Sequence, residues 1–245
     1  MSTNFSIIEG NNLKENRFFI LKFLMIWPAI FFTSINLLSY FEFLYQIFGL
    51  SLLLIFLPGQ LLLNFGIFLL TLFSFGKIYL IIINLIHLPK EGKFECSLKD
   101  KDYFFYCMRT TIKEFIVKTY DYFPLPWAKI FPLKFFNLTI PSSAGVLDSY
   151  IDTDFIELGE ESILGEGAII FSSLILDDTL LIKKTVIQDR ATIGAYSIVA
   201  PGTYVEEGSI LGMGSYTQIN QILEKGWIYV GRPARKLKQI QNTIN

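Results

Sequence analysis

An aliphatic side chain returns at six-residue steps through the second half of the chain, and this period restricts the possible folds more than any other feature. Small side chains such as Ser162, Ala168 and Ser197 often follow four residues later. A period of six suits a coil with three short flat sides per turn, not a helix or a simple hairpin. The sequence therefore predicts an all-β parallel β-helix of roughly four coils over residues 146–225. Its aliphatic positions are Leu158, Leu164, Ile170, Leu176, Ile182, Ile187, Ile193, Val199, Val205 and Leu211.

Residues 171–189 interrupt this repeat. Glycine is absent there, large residues such as Leu174 and Leu180 take the small positions, and one step shortens to five residues. Two interpretations stay open at this stage. The coil has wider corners there, or it is distorted to shape a functional site, since irregular backbone tends to gather at such sites.

The first half of the chain has the composition of a membrane segment. Residues 18–88 carry only three charged side chains, Lys22, Glu42 and Lys77. Residues 18–40 are long enough to span about 30 Å of hydrocarbon, whereas the uncharged residues 43–76 are too long for one upright helix. After a polar tail (1–17) we predict a membrane domain over 18–88 with two transmembrane helices. Pro58 and Gly59 are expected to break the second apolar run, with 43–57 in the membrane interface or re-entering.

Basic residues flank the membrane domain on both sides. Lys14 and Arg17 precede it, and four lysines follow it between residues 90 and 101. The positive-inside tendency then places both ends in the cytoplasm and requires an even number of crossings. We expect an integral membrane protein in contact with membrane lipid, with a cytoplasmic β-helix. Three crossings, the alternative, would place the β-helix outside.

Residues 89–145 form a connector between the membrane domain and the repeat. Phe105, Met108, Ile112 and Phe115 recur at helical spacing and predict an amphipathic helix. Residues 120–138 mix aromatic residues, prolines and lysines, as segments on a membrane surface do. The same aromatic residues can instead cap the end of the β-helix, and the two interpretations are compatible.

Composition excludes several functions. The net charge of −1 offers no basic stripe for nucleic acid. Cys96 and Cys107 form neither a metal pattern nor a redox pair. P-loop, dinucleotide-binding and nucleophile-elbow motifs are absent from the sequence.

The span 187–239 resembles the closing part of the left-handed β-helix acyltransferases of the hexapeptide-repeat superfamily. It contains IGAYSIVAPGTYVEEGSILGMGSYT (193–217) and then GWIYVGRPARKLK (226–238). The layout of residues 85–240 more specifically resembles the membrane-anchored modules of poly-lysine synthetase-type nonribosomal peptide synthetases and their stand-alone relatives. This resemblance implies a left-handed coil, a homotrimer, and acyl-CoA bound in a cleft between neighbouring coils.

The resemblance also implies a donor site in the segment 226–245, where we expect a short basic C-terminal helix. Pro233 suits the first turn of such a helix, and the basic residues can meet the phosphates of CoA. A carrier-protein thioester is the alternative donor, and a solvated basic face is the alternative interpretation. The implied donor-binding residues are Gly231, Arg232, Pro233, Ala234, Arg235 and Lys236.

The catalytic base is where the chain departs from the family. The resemblance implies histidines near the positions of Ser173 and Tyr196, but the only histidine is His87, at the end of the membrane domain. Asp177 and Asp178 are substitute candidates if burial raises their pKa. Tyr196 is a weak base, because an ordinary tyrosine has a pKa near 10.

Two functions therefore remain open at the level of sequence. The chain is a membrane-bound acyltransferase with catalytic candidates Asp177, Asp178, Tyr196 and Ser173, or it is a non-catalytic trimeric scaffold at the membrane. No metal is expected, because the zinc-binding β-helix carbonic anhydrases need several histidines and this chain has one.

Overall fold

The computed structural model describes residues 18–125, 128, 130–136, 138–146, 148–152 and 154–240, with only the backbone of 48–53. The predictions for the tail 1–17 and for 241–245 lie outside these residues. The chain divides into two compact units. We call the described residues 18–88 and 105–128 the helical unit, and 89–104 and 130–240 the coil unit.

The helical unit is built on α1 (Phe19–Ile86), whose helical backbone folds back on itself. The Tyr79 hydroxyl donates to the Leu24 carbonyl over 3.3 Å, and the Gln60 amide donates to the Asn36 side chain over 2.7 Å. Its two arms, Phe19–Ile47 and Leu54–Ile86, are each long and apolar enough to cross a membrane. The helix continues through Pro28 and Pro58, so the break expected at Pro58 and Gly59 is wrong.

A second helix, α2 (Lys101–Tyr120), has the helical structure predicted from its spacing, and it packs against both arms. Gly76 makes this contact possible, since a Cβ there would lie 2.3 Å from Ile116 and 3.2 Å from Met25. The Tyr120 hydroxyl donates to the Leu69 carbonyl over 3.2 Å. Burial raises the pKa of Tyr120 to about 12, so the phenol stays protonated at physiological pH.

The coil unit contains one short helix and sixteen strands within the described residues. In chain order they are β1 (Gly92–Glu95), α3 (Ile130–Phe135), β2 (Gly145–Val146), β3 (Tyr150–Ile151), β4 (Ile156–Leu158), β5 (Ile163–Leu164), β6 (Ile169–Ile170), β7 (Ser173–Leu176), β8 (Thr179–Ile182), β9 (Thr185–Ile187), β10 (Thr192–Ile193), β11 (Ile198–Val199), β12 (Tyr204–Val205), β13 (Ile210–Leu211), β14 (Ile222–Leu223), β15 (Trp227–Gly231) and β16 (Ala234–Gln239).

Three parallel sheets form the sides of a β-helix, as the repeat predicts. They contain β2-β5-β10-β13-β15, β3-β6-β11 and β4-β9-β12-β14 in order of pairing. Successive strands pass from sheet to sheet around the coil, and after β13 the chain reaches the second sheet only through the isolated bridge between Tyr216 and Ile198. The second residue of the short strands points into the core. Leu164, Ile193 and Leu211 are fully buried along one side, and Leu158, Ile187 and Leu223 lie in register along another.

The glycines and small residues of the repeat have two separate roles. Glycines directly after the aliphatic residue lie against the next coil: a Cβ on Gly194 would be 2.5 Å from the Met213 backbone nitrogen. Glycines three residues after it have positive φ, as at Gly208 (φ 64°), which favours glycine. The small residues are buried, and the Ser209 hydroxyl donates to the Glu206 carbonyl at 2.7 Å.

The irregular residues 171–189 contain a β-hairpin inserted between two sides of the coil. Strands β7 and β8 pair antiparallel, and β1 pairs antiparallel with β8 to complete a three-stranded sheet. Leu176 and Ile182 therefore lie in the hairpin and outside the core of the coil. In that core, the next aliphatic residue after Ile170 is Ile187. Both residues fit the six-residue period only by coincidence.

The predicted C-terminal helix is wrong. Residues Ala234–Gln239 form β16, which pairs antiparallel with β15. The edge of the last parallel strand offers unpaired backbone groups, and pairing with β16 satisfies them. The basic side chains that suggested a helical face lie on this exposed edge strand.

Replacing Gly194 by alanine should destabilise the coil strongly, because the new methyl would meet the backbone of the next coil. We expect a loss of about 3 kcal/mol in the free energy of unfolding. Gly208→Ala is the matched control, because nothing lies within 4 Å of its Cβ position. Its only penalty is the positive φ, which should lower the free energy of unfolding by about 1 kcal/mol. Thermal unfolding in detergent measures both, and equal losses would contradict this account of coil stacking.

Candidate functional site

Two of the predicted site residues lie on one corner of the coil. Tyr196 (φ 55°) donates its backbone N–H to the Glu166 carbonyl over 2.9 Å, and its ring covers Gly167 in the preceding coil. Arg232 donates its Nε–H to the Gly214 carbonyl over 2.6 Å, two coils after Tyr196. Coil spacing of about 4.8 Å places these two residues roughly 10 Å apart along the corner.

The segment Gly231–Arg235, called the closing turn, contains the last residue of β15, the two turn residues Arg232 and Pro233, and the first two residues of β16. The Tyr216 backbone N–H donates to the Gly231 carbonyl at 3.1 Å, and the Ala234 N–H donates to the Tyr216 carbonyl at 2.7 Å. Ala234 is buried, whereas Arg232 and Arg235 are exposed. The segment therefore carries two exposed arginine side chains on a backbone held by hydrogen bonds to Tyr216.

Lys236 is the predicted donor-site residue with the most local partners. Its ammonium lies 2.6 Å from Glu224 and 4.7 Å from the centre of the Trp227 ring. The hydrogen bond with Glu224 raises the pKa of Lys236, so this side chain stays protonated. Its charge is engaged with Glu224.

Ser173 lies at the base of the inserted hairpin, where its backbone and side chain are held by one carboxylate. Asp152 Oδ2 accepts from the Ser173 hydroxyl at 2.7 Å and from the Ser173 N–H at 3.0 Å. It also accepts from the Ser172 N–H and hydroxyl at 3.1 Å each. Asp152 is buried, and its four bonds anchor the hairpin where it leaves the coil.

Asp177 and Asp178 form the two-residue turn at the other end of the hairpin. Both side chains are exposed, and the Asp178 carbonyl accepts from the Cys96 N–H at 2.8 Å. The burial on which their predicted catalytic role depends is absent. At about 3.4 Å per residue, strand β7 separates this turn from Ser173 by roughly 10 Å or more.

His87 lies in the helical unit, at the C-terminal end of α1. Its ring stacks on Phe105 with centroids 4.8 Å apart and planes at 8°, and its carbonyl accepts from Arg109 at 3.0 Å. These contacts give the residue a structural role at the helix end.

One side of the coil carries a groove of about 400 Å³ lined by none of the predicted site residues. Its acidic residues are already paired: Glu157 with Lys184 at 2.7 Å, and Glu207 with Arg190 and Lys225. Asp189 accepts from the Glu160 N–H at 2.8 Å. Within the described parts of the chain, no cluster of three histidine, cysteine or acidic residues can hold a metal ion.

Asp152, the structural partner of the predicted residue Ser173, is not recognisable from the sequence. It stands before the regular part of the repeat, among the scattered acids Asp148 and Asp154, and no spacing distinguishes it. Only the pairing of β3 with β6 brings it beside Ser172 and Ser173.

No protein-family model and no curated protein matches the chain. Solved structures similar to it include a maltose O-acetyltransferase from Clostridium difficile 630, at 14% identity and a TM-score of 0.46, over 54% of this chain and 87% of that one. A hexapeptide-repeat acetyltransferase from Vibrio cholerae has 12% identity and a TM-score of 0.45, over 54% and 91%. A galactoside acetyltransferase in complex with coenzyme A has 11% identity and a TM-score of 0.43, over 54% and 81%.

Replacing Asp152 by alanine should loosen the base of the hairpin, because two backbone N–H groups and two hydroxyls lose their acceptor. We expect a loss of about 3 kcal/mol in unfolding free energy. Ser173→Ala, the control, removes one of the four donors and should cost about 1 kcal/mol. Thermal unfolding and proteolysis of the hairpin measure the effect. An Asp152→Ala variant as stable as the parent would remove the anchoring role.

Proposed function

We propose that the chain is a membrane-anchored acyltransferase of the hexapeptide-repeat type. It would move an acyl group from CoA or a carrier thioester to a hydroxyl or amine acceptor. The observation that carries the proposal is the corner on which Tyr196 and the Gly231–Arg235 turn lie together at the end of a hexapeptide coil. The left-handed coil and the kinship with poly-lysine synthetase-type modules belong to the same proposal.

The surface of the helical unit supports the membrane anchor. Large apolar side chains are exposed along both arms, among them Trp27 (64%), Leu38 (69%) and Phe56 (57%). Soluble proteins rarely expose such a continuous apolar surface, whereas a bilayer solvates it at no cost. Because α1 folds back on itself, its two ends lie on the same side of the helical unit. The flanking basic residues favour the cytoplasm for that side.

The exposed arginines of the closing turn support a phosphate-bearing donor. Arg232 and Arg235 present planar groups that bind phosphate oxygens in pairs. In the transfer itself, a base takes the proton of the acceptor hydroxyl or amine, the acceptor attacks the thioester carbonyl, and the thiolate leaves. Tyr196 is the titratable candidate on the same corner as the arginines, whereas Ser173, Asp177 and Asp178 lie elsewhere on the coil unit.

A homotrimer is part of the proposal, and one face of the coil supports it. The outward residues Tyr150, Ile169, Ile198 and Tyr216 lie in register along the second sheet without a polar interruption. The corresponding rows of the other two sheets include Thr192 and Glu157. An uninterrupted apolar row is the face best suited to contact with a second copy.

Acyl-CoA should bind saturably to the purified protein in detergent. We expect Arg235→Ala and Arg232→Ala each to weaken binding about tenfold or more, because each removes a charge-assisted contact with phosphate. Lys238→Ala is the matched control, a basic residue of the same strand outside the turn. Isothermal calorimetry measures the affinities, and no binding of acetyl-CoA, longer acyl-CoA or free CoA would overturn the donor site.

The oligomeric state tests the apolar face. The parent should be a trimer in detergent, and Ile169→Glu with Ile198→Glu should give a monomer, because charges would be buried at the contact. Val186→Glu with Ile222→Glu on the third sheet is the control and should stay trimeric. Light scattering after size exclusion measures the oligomeric state, and a monomeric parent would contradict the proposed trimer.

A non-catalytic trimeric scaffold is the second candidate, and the absence of histidine from the coil unit favours it. A positioned general base contributes typically about 10²–10⁴-fold in rate, so its loss leaves a weak enzyme. CoA release with hydroxyl and amine acceptors separates the two functions. Turnover abolished by Tyr196→Phe supports the transferase, and donor binding without turnover supports the scaffold.

A further inference from the structure

The short helix α3 of the coil unit has one buried side and one exposed side. Pro132 and Leu133 are buried, and so is Phe136 directly after the helix, at 1% exposure. Phe131 and Phe135 remain 38% and 49% exposed, and the centroids of their rings are 4.8 Å apart. Because side chains four residues apart share one side of a helix, these two form a single apolar surface, which we call the phenylalanine pair.

A lysine borders the phenylalanine pair. Lys134 is exposed, and its ammonium donates to the Ser142 hydroxyl over 3.4 Å. Phenylalanine beside lysine is the composition of segments that lie on a membrane. The rings enter the boundary of the acyl chains, while the ammonium stays among the lipid headgroups. This side of α3 therefore has the chemistry of a contact with lipid.

The chain enters the β-helix directly after α3. Leu138 and Ile140 are buried, and Thr139 between them pairs with Glu157 in the third sheet. The Leu158 N–H donates to the Thr139 carbonyl over 2.9 Å. Helix α3 therefore precedes the N-terminal end of the coil, and its exposed side belongs to that end.

Before α3, the chain leaves the helical unit beside the second arm. Tyr120, the last residue of α2, donates its hydroxyl to the Leu69 carbonyl over 3.2 Å. A bilayer takes up about 20 residues of an upright helix, and every stretch of that length within Leu54–Ile86 includes residues 67–73. If this arm crosses a membrane, Leu69 lies within the hydrocarbon wherever the membrane surface meets the arm.

The path from Tyr120 to α3 is short. Phe131 follows Tyr120 by eleven residues, a path of at most about 40 Å when fully extended. Two turns shorten it. The Phe123 N–H donates to the Tyr120 carbonyl, and the Ala128 N–H donates to the Leu125 carbonyl, each over 3.0 Å. A segment this short, leaving an arm that crosses a membrane, holds α3 near the bilayer, and this continuity selects lipid as the partner of its exposed side.

We propose that the phenylalanine pair and Lys134 bind the surface of the membrane that the arms cross. The inference rests on the membrane anchoring in the proposed function and adds a second lipid contact, which belongs to the coil unit. It does not depend on acyl transfer, because none of these residues is a candidate for donor binding or catalysis.

The test places the photoreactive residue p-benzoylphenylalanine at single positions of the full-length protein in phosphatidylcholine–phosphatidylglycerol nanodiscs. Illumination of the protein labelled at Phe135 should attach lipid, which mass spectrometry of the intact protein detects. Tyr204 is the matched control, an aromatic residue of the coil unit that is 36% exposed and lies three steps along the third sheet from Thr139, about 14 Å. It should attach no lipid, and equal yields at the two positions would overturn the assignment to α3.

A substitution tests the apolar surface itself. Phe131→Ser in the protein labelled at Phe135 should lower the yield of lipid adduct about fivefold, because it removes half of the phenylalanine pair. Ile163→Ser on the first sheet is the control: it removes an apolar side chain of similar exposure (47%) and should leave the yield unchanged. Thermal unfolding checks that both variants fold. An unchanged yield in folded Phe131→Ser overturns the proposal.

Labelling at Phe56, which is 57% exposed on the second arm, separates this inference from the anchoring on which it rests. Lipid adducts at Phe56 without adducts at Phe135 overturn the contact through α3 and leave the anchor intact. The absence of adducts at both positions overturns the anchor, and the contact with it. Cross-linked protein dimers at Phe135 in place of lipid adducts would identify a second copy as the partner and also overturn the proposal.

Discussion

The coil unit depends on one constraint: its core is a single file of side chains on each of three sides. Nine aliphatic residues from Leu158 to Leu223 are at most 3% exposed there, and each contributes roughly 1.5–3 kcal/mol by burial. A core this narrow accepts one aliphatic residue per side and a small residue at each corner. The six-residue period follows directly from that geometry.

The same constraint explains which parts of the fold could be predicted from the sequence. Leu164, Ile193 and Val199 can be assigned to the core from the sequence, because the narrow core accommodates only one aliphatic side chain on each side. The sequence predicts an irregular coil where the structure has the inserted hairpin, because Leu176 and Ile182 keep the period by coincidence. At the other end, Thr217 hid the continuation of the repeat to Leu223: it is buried, and its hydroxyl pairs with Thr203 at 2.8 Å.

The candidate site was less predictable, because its geometry arises between coils. Tyr196 has the positive φ that Gly202 and Gly208 have at equivalent corners, and no pattern in the sequence reports the cost of that conformation. Glu161, Arg190 and Asn220 have the same positive φ at equivalent corners, so this conformation belongs to the coil and not to Tyr196 alone. The charge of the segment after Gly231 and the position of Pro233 suggest a helix, whereas the segment forms a strand because it pairs with the open edge of β15.

The pairing of β1 with β8 has a consequence for how this protein can be divided. The coil unit is assembled from two separate segments, 89–104 and 130–240, with α2 residues of the helical unit between them. Glu91 accepts from the Lys184 N–H at 2.9 Å, just ahead of the paired strand. Cutting the chain after residue 96 would expose the backbone of Leu180 and Ile182 as an open edge, a surface prone to aggregation. The β-helix is therefore not a separable module that was simply appended to the helical unit; the first residues after α1 are part of its fold.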